Sequence, residues 1–577
     1  MNKRPIIEFE NYSFQYYAQA APTLLEINLK IYEGEKILIV GPSGSGKSTL
    51  GNCLNGLIPF SYKGESFGSL KIKGLETKEL DIFKLSKIIG TVLQDSDGQF
   101  VGLTVGEDIA FAMENDCTPH TEMHERVSKV AQMVDMSSFL TASPYELSGG
   151  QKQRTALAGV LIDDVDILLF DEPLANLDPA TGKKAIEIID EIHKQSGKTI
   201  VIIEHRLEDV LHCEIDRVIV VSEGRIIADM NPHELVSTDV LIKNGIREPL
   251  YVTALKYADI CVTPEMKAGH IWSLQMETVT EKIKAWHKSV QMVDRQNLKA
   301  PILEMKALNF SYDGVSQILD TINFEILEGE MVSIVGKNGA GKSTLSKVLC
   351  GFVKEDNGLV LLGGKSLFGK SIKERAEVIG VVMQNPNQMI SKPKIFDEVA
   401  LGLRLRKIPE EEVKTRVEKI LDICGLAPFI DWPISALSYG QKKRVTIAAI
   451  LVLDPRILIL DEPTAGQDYR HYSDIMAFLC EINKLGVTII LITHDMHLML
   501  EYTPRAIVLA GGKKIADTHA SAVLTDQSVI AQANLKETSL LNLAQMAGIP
   551  DGTKFVQNFI DYERRVSIED ENETILV

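Results

Sequence analysis

One ordered series of short motifs occurs twice along the chain. This duplication constrains the fold more than any other feature, because two copies of one series in one order call for two copies of one domain. Glycine-rich loops end at Lys47 and Lys342, and elements of the form Leu-Ser-x-Gly-Gln stand at Ser148 and Ser438. Asp171 and Asp461 follow those serines at one common spacing, and Gln94 and Gln384 precede them at another. At 577 residues the chain has room for several compact units of about 100–200 residues each.

Each copy opens with an amphipathic β-like stretch and continues into an apolar strand, Lys36–Val40 or Met331–Val335, then the glycine loop and a helix beginning near the lysine. Further apolar runs at Ile167–Phe170 and Thr199–Ile203, matched by Ile457–Leu460 and Thr488–Ile492, carry no polar alternation. Runs of that kind are expected as strands buried on both faces of a parallel α/β sheet. Between loop and second strand a mainly helical insert is expected.

Composition excludes several classes of partner. A formal net charge of −18 opposes binding to a phosphate backbone, whose affinity comes largely from Lys and Arg displacing counterions, so no nucleic-acid partner is expected. Apolar runs such as Ile37–Val40 and Val218–Val221 are far shorter than the roughly 18–20 residues that cross a bilayer. Met1-Asn2-Lys3-Arg4-Pro5 leads into a charged stretch without the apolar core of a secretory signal, so a cytoplasmic location is expected. Seven cysteines form no CxxC pair and are expected as reduced, mostly buried thiols.

Gly41-Pro42-Ser43-Gly44-Ser45-Gly46-Lys47-Ser48-Thr49 and Gly336-Lys337-Asn338-Gly339-Ala340-Gly341-Lys342-Ser343-Thr344 both fit the GxxxxGK[ST] phosphate loop. Its glycines let consecutive backbone N–H groups face phosphate oxygens, and the following helix adds its positive end. Two nucleotides can then bind, Lys47 and Lys342 reaching the β- and γ-phosphates and Ser48 and Ser343 the magnesium ion. Asp171-Glu172-Pro173 and Asp461-Glu462-Pro463 each follow an apolar strand, which places both carboxylates beside the phosphates. The aspartates suit the metal, and Glu172 and Glu462 suit an attacking water that must be oriented or deprotonated. His205 and His494 follow the next strands at matched places and are candidates to touch the γ-phosphate, against the plainer reading of a polar strand cap.

Leu147-Ser148-Gly149-Gly150-Gln151 and Leu437-Ser438-Tyr439-Gly440-Gln441 complete each series. Phosphate loop, glutamine, Ser-Gly-Gln signature, Asp-Glu and histidine, in that order, resemble the ATP-binding cassette ATPases across nearly the whole of both halves. The resemblance implies an α/β fold with two P-loop NTPase nucleotide-binding domains, each a RecA-like, mostly parallel sheet core with an antiparallel β subdomain and a helical signature subdomain. It implies ATP and Mg2+ as cofactors, with Ser48, Gln94 and Asp171 at one metal and Ser343, Gln384 and Asp461 at the other. It further implies intramolecular head-to-tail pairing of the cassettes, Lys47 working with Ser438 and Gly440, and Lys342 with Ser148 and Gly150, with Gln151 and Gln441 also at the nucleotide. Tyr16 and Tyr312 match the family aromatic that stacks on adenine; the alternative is a core tyrosine. Cassette domains are expected at 1–240 and 301–530, an extension and linker at 241–300, and a C-terminal extension at 531–577 whose last residues, 568–577, are acidic and expected to fray.

Gln99-Phe100-Val101-Gly102-Leu103-Thr104-Val105 and Asn385-Pro386-Asn387-Gln388-Met389-Ile390 look like the energy-coupling-factor importers, as do Leu437-Ser438-Tyr439-Gly440-Gln441-Lys442 and Thr464-Ala465-Gly466-Gln467-Asp468. The fused arrangement is similar to the hydroxymethylpyrimidine and thiamine uptake ATPases. That implies integral membrane partners, a T-type and a substrate-binding S-type subunit, docked on the exposed residues beyond Gln94 and Gln384, with the ATPase peripheral on the cytoplasmic face of the membrane. A ribosome-acting twin cassette is the alternative, but it calls for a strongly basic arm, and 236–300 holds nine basic against seven acidic residues. Repair ATPases call for zinc CxxC pairs, and fused sugar-importer ATPases for one degraded site. Two departures predict unequal sites: Tyr439 in place of a signature glycine, and the differing loops Ala175-Asn176-Leu177-Asp178 and Ala465-Gly466-Gln467-Asp468.

Overall fold

The computed structural model describes residues 4–94, 96–175, 177–290, 300–464 and 467–575; for 96, 97 and 567–575 it describes the backbone alone. The chain forms two compact units, one built mainly from Met1–Trp286 and the other mainly from His287–Val577. Asn176, Ala465 and Gly466, on which the expected loop difference falls, lie outside the described residues.

The first unit contains β1 (Pro5–Tyr16), β2 (Leu24–Tyr32), β3 (Lys36–Val40), β4 (Gly64–Ile72), β5 (Leu75–Glu76), β6 (Ile89–Val92), β7 (Ile167–Asp171), β8 (Thr199–Ile203), β9 (Arg217–Ser222) and β10 (Arg225–Met230). Six strands form a sheet in the order β10-β9-β3-β8-β7-β6, parallel except at β10, and four form an antiparallel sheet in the order β2-β1-β4-β5. The central strands β3 and β8 are buried at every position and mostly apolar because both their faces are covered. Leu38, Val40, Leu168, Phe170, Ile200 and Ile202 face one core, which includes Ile189 and Ile192 of the helix Pro179–Ser196 and Val105 and Ile109 of the helical insert. Ile37, Ile39, Ile167, Leu169, Val201 and Ile203 face the other, shared with the antiparallel sheet and with Leu50 and Leu54 of the helix Lys47–Leu54. Alternate side chains thus fasten one sheet to two layers.

The second unit repeats the plan with β11 (Pro301–Ser311), β12 (Gln317–Leu327), β13 (Met331–Val335), β14 (Asn357–Leu362), β15 (Lys365–Ser366), β16 (Ile379–Val382), β17 (Ile457–Asp461), β18 (Thr488–Ile492), β19 (Arg505–Ala510) and β20 (Lys513–His519). Its sheets have the orders β16-β17-β18-β13-β19-β20 and β12-β11-β14-β15, those of the first unit strand for strand. Inside the core the copies differ: Lys36 in β3 forms a buried ion pair with Asp190, whereas Ser333 in β13 is bonded to Thr503 in the same layer.

Both extensions pack on the segment that follows the candidate γ-phosphate histidine, His205 or His494. In the first unit, Leu250 N–H donates to Glu208 Oε2 (3.0 Å), and His270 Nε2 lies 2.7 Å from the His212 carbonyl. In the second, Arg564 Nε donates to the Glu501 carbonyl (2.9 Å). The helix beginning at Gly552 continues to Ile575, through most of the stretch expected to fray. A helix already nucleated over its first turns extends at one hydrogen bond per residue, so a charged sequence alone does not end it. The cysteines are free, but only Cys53, Cys350 and Cys424 are buried; Cys117 and Cys261 are exposed, contrary to the expectation of mostly buried thiols. Both lie in short connections past a helix end rather than on a core face. No helix among the described residues is long and apolar enough to cross a membrane.

The doubly covered sheet predicts that Phe170→Ala, at a position 1% exposed, costs about 3–5 kcal/mol through lost transfer energy and an unfilled cavity. Denaturant unfolding of the full chain checks this, the transition of the first unit shifting and that of the second remaining in place.

Candidate nucleotide sites

Parallel pairing brings the carboxyl ends of β3, β6, β7 and β8 to one edge of the sheet. From that edge issue the phosphate loop, Gln94, Asp171-Glu172 and His205, and β13, β16, β17 and β18 do the same for the second series. The loop turns need their glycines. Gly44 and Gly46 have φ +76° and +103°, and a Cβ on Gly41 would stand 2.1 Å from the Val221 carbonyl oxygen. Gly336 is confined in the same way by Leu509, and Gly339 and Gly341 also have positive φ. Neither Gly46 nor Gly341 supplies a side-chain cap to the helix that follows, so its first N–H groups face the loop.

Lys47 and Lys342 are almost fully buried. Lys47 Nζ donates to the carbonyls of Gly41 (2.7 Å) and Pro42 (2.9 Å), and Lys342 Nζ to those of Gly336 (2.7 Å) and Lys337 (3.0 Å). Burial pushes the Lys47 ammonium below the usual lysine range, opposed chiefly by the Glu172 carboxylate. Ser48 Oγ stands 3.5 Å from Asp171 Oδ1, and the Ser343 hydroxyl is close enough to Asp461 to favour its charged form. Burial, reinforced by Glu172, raises Asp171 to about 6; burial also raises Asp461. Such crowded carboxylates favour a bound cation. Among the described residues no group of three or more His, Cys, Asp or Glu could hold a metal by itself. One hydroxyl and one carboxylate per site fit a magnesium ion whose other ligands are phosphate oxygens and water.

Glu172 and Glu462 occupy the left-handed region, φ +48° and +47°, unusual for a glutamate. Each is pinned there by its own N–H, which donates across the sheet edge to the Ile203 or Ile492 carbonyl (2.8 Å in both). Such backbone costs on the order of 1–3 kcal/mol and is characteristic of functional sites. Beyond the backbone the copies diverge. Glu172 Oε2 accepts from Gln94 Nε2 (2.5 Å), and burial raises its pKa. Glu462 Oε1 instead lies 2.7 Å from His494 Nδ1, while His205 Nδ1 faces Glu204.

Tyr16 packs against the core shared with the antiparallel sheet, whereas Tyr312 lies at the surface. Tyr16 is half-buried with its hydroxyl 3.1 Å from Thr49 Oγ1, and Tyr312 is 60% exposed with its hydroxyl 3.5 Å from Thr344 Oγ1. Both stand edge-on to a neighbouring phenylalanine, Phe14 or Phe310. Ser148 and Ser438 begin the helices Gly149–Leu161 and Tyr439–Leu451 and form capping boxes with Gln151 and Gln441. Gln151 Oε1 accepts from Ser148 N–H (2.8 Å) and Gln441 Oε1 from Ser438 N–H (3.0 Å). Gly150 has no room for a Cβ, which would meet Thr181 Cγ2 at 2.3 Å. Among the described residues these signature groups make no hydrogen bond to the phosphate loop of their own unit.

Beyond Gln94, Val101 and Leu103 are 63% and 81% exposed. In the matching stretch Asn385, Asn387 and Gln388 are exposed, while Pro386 is buried and the half-buried Met389 and Ile390 pack against the core.

Two side chains in the sites escaped the sequence reading. Lys443 is wholly buried and donates to the carbonyls of Met383 and Gln384 (both 2.8 Å); burial lowers it to about 8. Tyr439 adds a third bond, its hydroxyl donating to the Gln384 carbonyl (3.2 Å). The corresponding residues of the first copy are Gly149 and Gln153, and Gln153 bonds to Pro173 instead. Glu204 is the other. Aligning the copies residue by residue exposes both, since Gln153 faces Lys443 and Glu204 faces Thr493.

The family model described as ABC transporter matches residues 24–175 and again 319–465, together more than half of the chain. The chain belongs to the ABC transporter family. A second model, described as ATP-binding cassette cobalt transporter, matches residues 238–310. A Clostridium perfringens protein named as an ABC transporter ATP-binding protein is 60% identical over 98% of this chain and 99% of its own length. An Enterococcus faecalis protein of the same description is 55% identical over 98% and 99%. A solved structure, cbiO1 of Clostridium perfringens, titled as part of the ABC transporter complex cbiONQ, is 36% identical over 44% of this chain and 99% of its own, with a TM-score of 0.39. The two cassettes bind ATP, and the chain is an ATPase, the ATP-binding subunit of a transporter. Relatives that span nearly the whole chain as transporter proteins do not favour the ribosomal alternative.

The buried lysines predict that Lys47→Ala and Lys342→Ala each weaken ATP binding about 10- to 100-fold at the altered cassette, the loss expected for a charge-assisted hydrogen bond. Equilibrium titration with a fluorescent ATP analogue reads it.

Proposed function

We propose that the chain is the twin-cassette ATPase of an energy-coupling-factor importer, peripheral on the cytoplasmic face of the membrane and joined there to T-type and substrate-binding S-type integral subunits. The observation that carries this reading is the pair of complete motif series, both with lysine, glutamate and histidine, joined by a segment that resembles cobalt-transporter cassettes. The cargo is a small nutrient, a divalent metal ion or a vitamin such as thiamine or its hydroxymethylpyrimidine precursor.

In this reading each ATP is held between the phosphate loop of one cassette and the signature of the other, so Lys47 works with Ser438 and Gly440, and Lys342 with Ser148 and Gly150. Magnesium, when bound, neutralises charge on the β- and γ-phosphates; Ser48, Asp171 and Gln94 would hold it at one site, and Ser343, Asp461 and Gln384 at the other. Lys47 and Lys342 orient the γ-phosphate, and His205 and His494 contact it from the neighbouring strand. Glu172 and Glu462 take a proton from the water that attacks the γ-phosphorus as the bond to the bridging oxygen breaks, releasing ADP and phosphate. The γ-phosphate supplies contacts present only in the closed pair, so binding favours closure and hydrolysis releases it. The closing motion passes to the membrane subunits through the exposed Val101 and Leu103.

Glu172→Gln and Glu462→Gln are each expected to keep ATP binding and to slow turnover by about 10²-fold or more, as loss of a general base requires. Turnover at the unaltered rate in both would sink the assignment. Val101→Asp together with Leu103→Asp is expected to leave ATP binding intact and to abolish co-purification with integral proteins from membranes. Recovery of ribosomes in place of membrane subunits would favour the rejected alternative.

A further inference from the structure

Glu204 and Thr493 are the residues immediately before the two candidate γ-phosphate histidines, and the tripeptides Glu204-His205-Arg206 and Thr493-His494-Asp495 differ in every charge around the histidine. Glu204 is wholly buried. Its Oε1 lies 3.0 Å from His205 Nδ1 and also accepts the backbone N–H groups of His205 (2.9 Å) and Arg206 (3.3 Å). Its Oε2 accepts Leu174 N–H (3.2 Å), and the Arg206 guanidinium bonds to the carbonyl of that same Leu174. A buried carboxylate is expensive unless its lone pairs are satisfied, and here three backbone N–H groups donate to it. The plain alternative is that Glu204 only braces the backbone of this turn.

Comparison of the two copies separates these readings. In the second unit Thr493 Oγ1 receives Asp495 N–H (2.9 Å) and lies 3.4 Å from Glu462 Oε2, and nothing at position 493 reaches the imidazole. His494 Nδ1 is then taken by Glu462 itself, at 2.7 Å. In the first unit His205 Nδ1 lies 3.0 Å from Glu204 Oε1, and Glu172 bonds instead to Gln94 at 2.5 Å. One histidine therefore has a carboxylate of its own, and the other shares the one that handles water. A carboxylate at Nδ1 fixes which ring nitrogen carries its proton and which way the ring faces.

We propose that Glu204 is the positioning residue of His205: it binds Nδ1, holds the ring away from Glu172 and leaves Nε2 for the γ-phosphate of ATP. The inference rests on the proposed role of His205 and adds to it a built-in difference between the two ATP sites. The proximity of Glu204 also contributes, after burial, to the raised pKa of Glu172.

The test is steady-state ATPase of the full chain carrying Glu204→Thr, which installs the second copy's residue, His205→Ala, or both, with ATP binding measured on each protein. Glu204→Thr is expected to lower kcat about 10- to 100-fold, the loss typical of removing a histidine's orienting partner, with KM for ATP changed less than about threefold. The double variant is expected to fall no further than His205→Ala alone, because Glu204 acts through that ring. If Glu204→Thr does not yield folded protein, Glu204→Gln, which keeps an acceptor oxygen, is expected to lose less turnover and to show the same non-additivity. Multiplying losses in the double variant, or unchanged kcat on substitution of Glu204 alone, overturns the inference. A His205→Ala protein with undiminished turnover would instead remove the proposed role of His205 itself.

Discussion

The arrangement depends on parallel pairing of strands whose two faces are both buried. The ladder β9-β3-β8-β7-β6 directs the carboxyl ends of its strands to one edge, so residues far apart in sequence, Lys47, Gln94, Asp171 and His205, emerge side by side. Each strand is fastened to two cores through alternate residues, and the edge therefore cannot shift without unpacking both. The left-handed backbone of Glu172 and Glu462 is held by the same device, an N–H bonded to the end of the neighbouring strand. The sheet thus bears the cost of that local strain.

On this common frame the two copies have settled into different polar networks. In the first, the histidine stands 3.0 Å from a buried carboxylate beside it, and the glutamate is bonded to the glutamine that follows β6. In the second, the histidine is bonded to the glutamate, and the glutamine segment is tied by its carbonyl to Tyr439 and Lys443 of the signature helix. Each network satisfies its buried groups in its own way, as a low-dielectric interior demands. Two sites with the same motifs are therefore chemically unlike, and Tyr439, which interrupts the signature pattern, belongs to the network that makes the second site distinct.

The extensions follow a common logic despite unrelated sequences. Helices from 250–289 in the first unit and 552–575 in the second pack close behind the histidine segments, through Glu208 and His212 in one and Glu501 in the other. The segment that bears each candidate γ-phosphate histidine is thereby held from outside the sheet as well as from within.

The duplication, the strand identities, the phosphate loops and the paired carboxylates were legible from the chain, because glycine turns and doubly buried strands leave patterns that depend on near neighbours alone. Sequence also indicated that the sites would differ, through Tyr439. What it could not supply was the partner of each polar side chain. Whether Glu172 bonds to Gln94 and Glu462 to His494, whether Met389 points outward like Leu103 or inward, and whether Lys443 reaches a carbonyl are decided by contacts between segments tens of residues apart. Those contacts exist only once the sheet has set the distances, and for that reason the tertiary structure alone determined them.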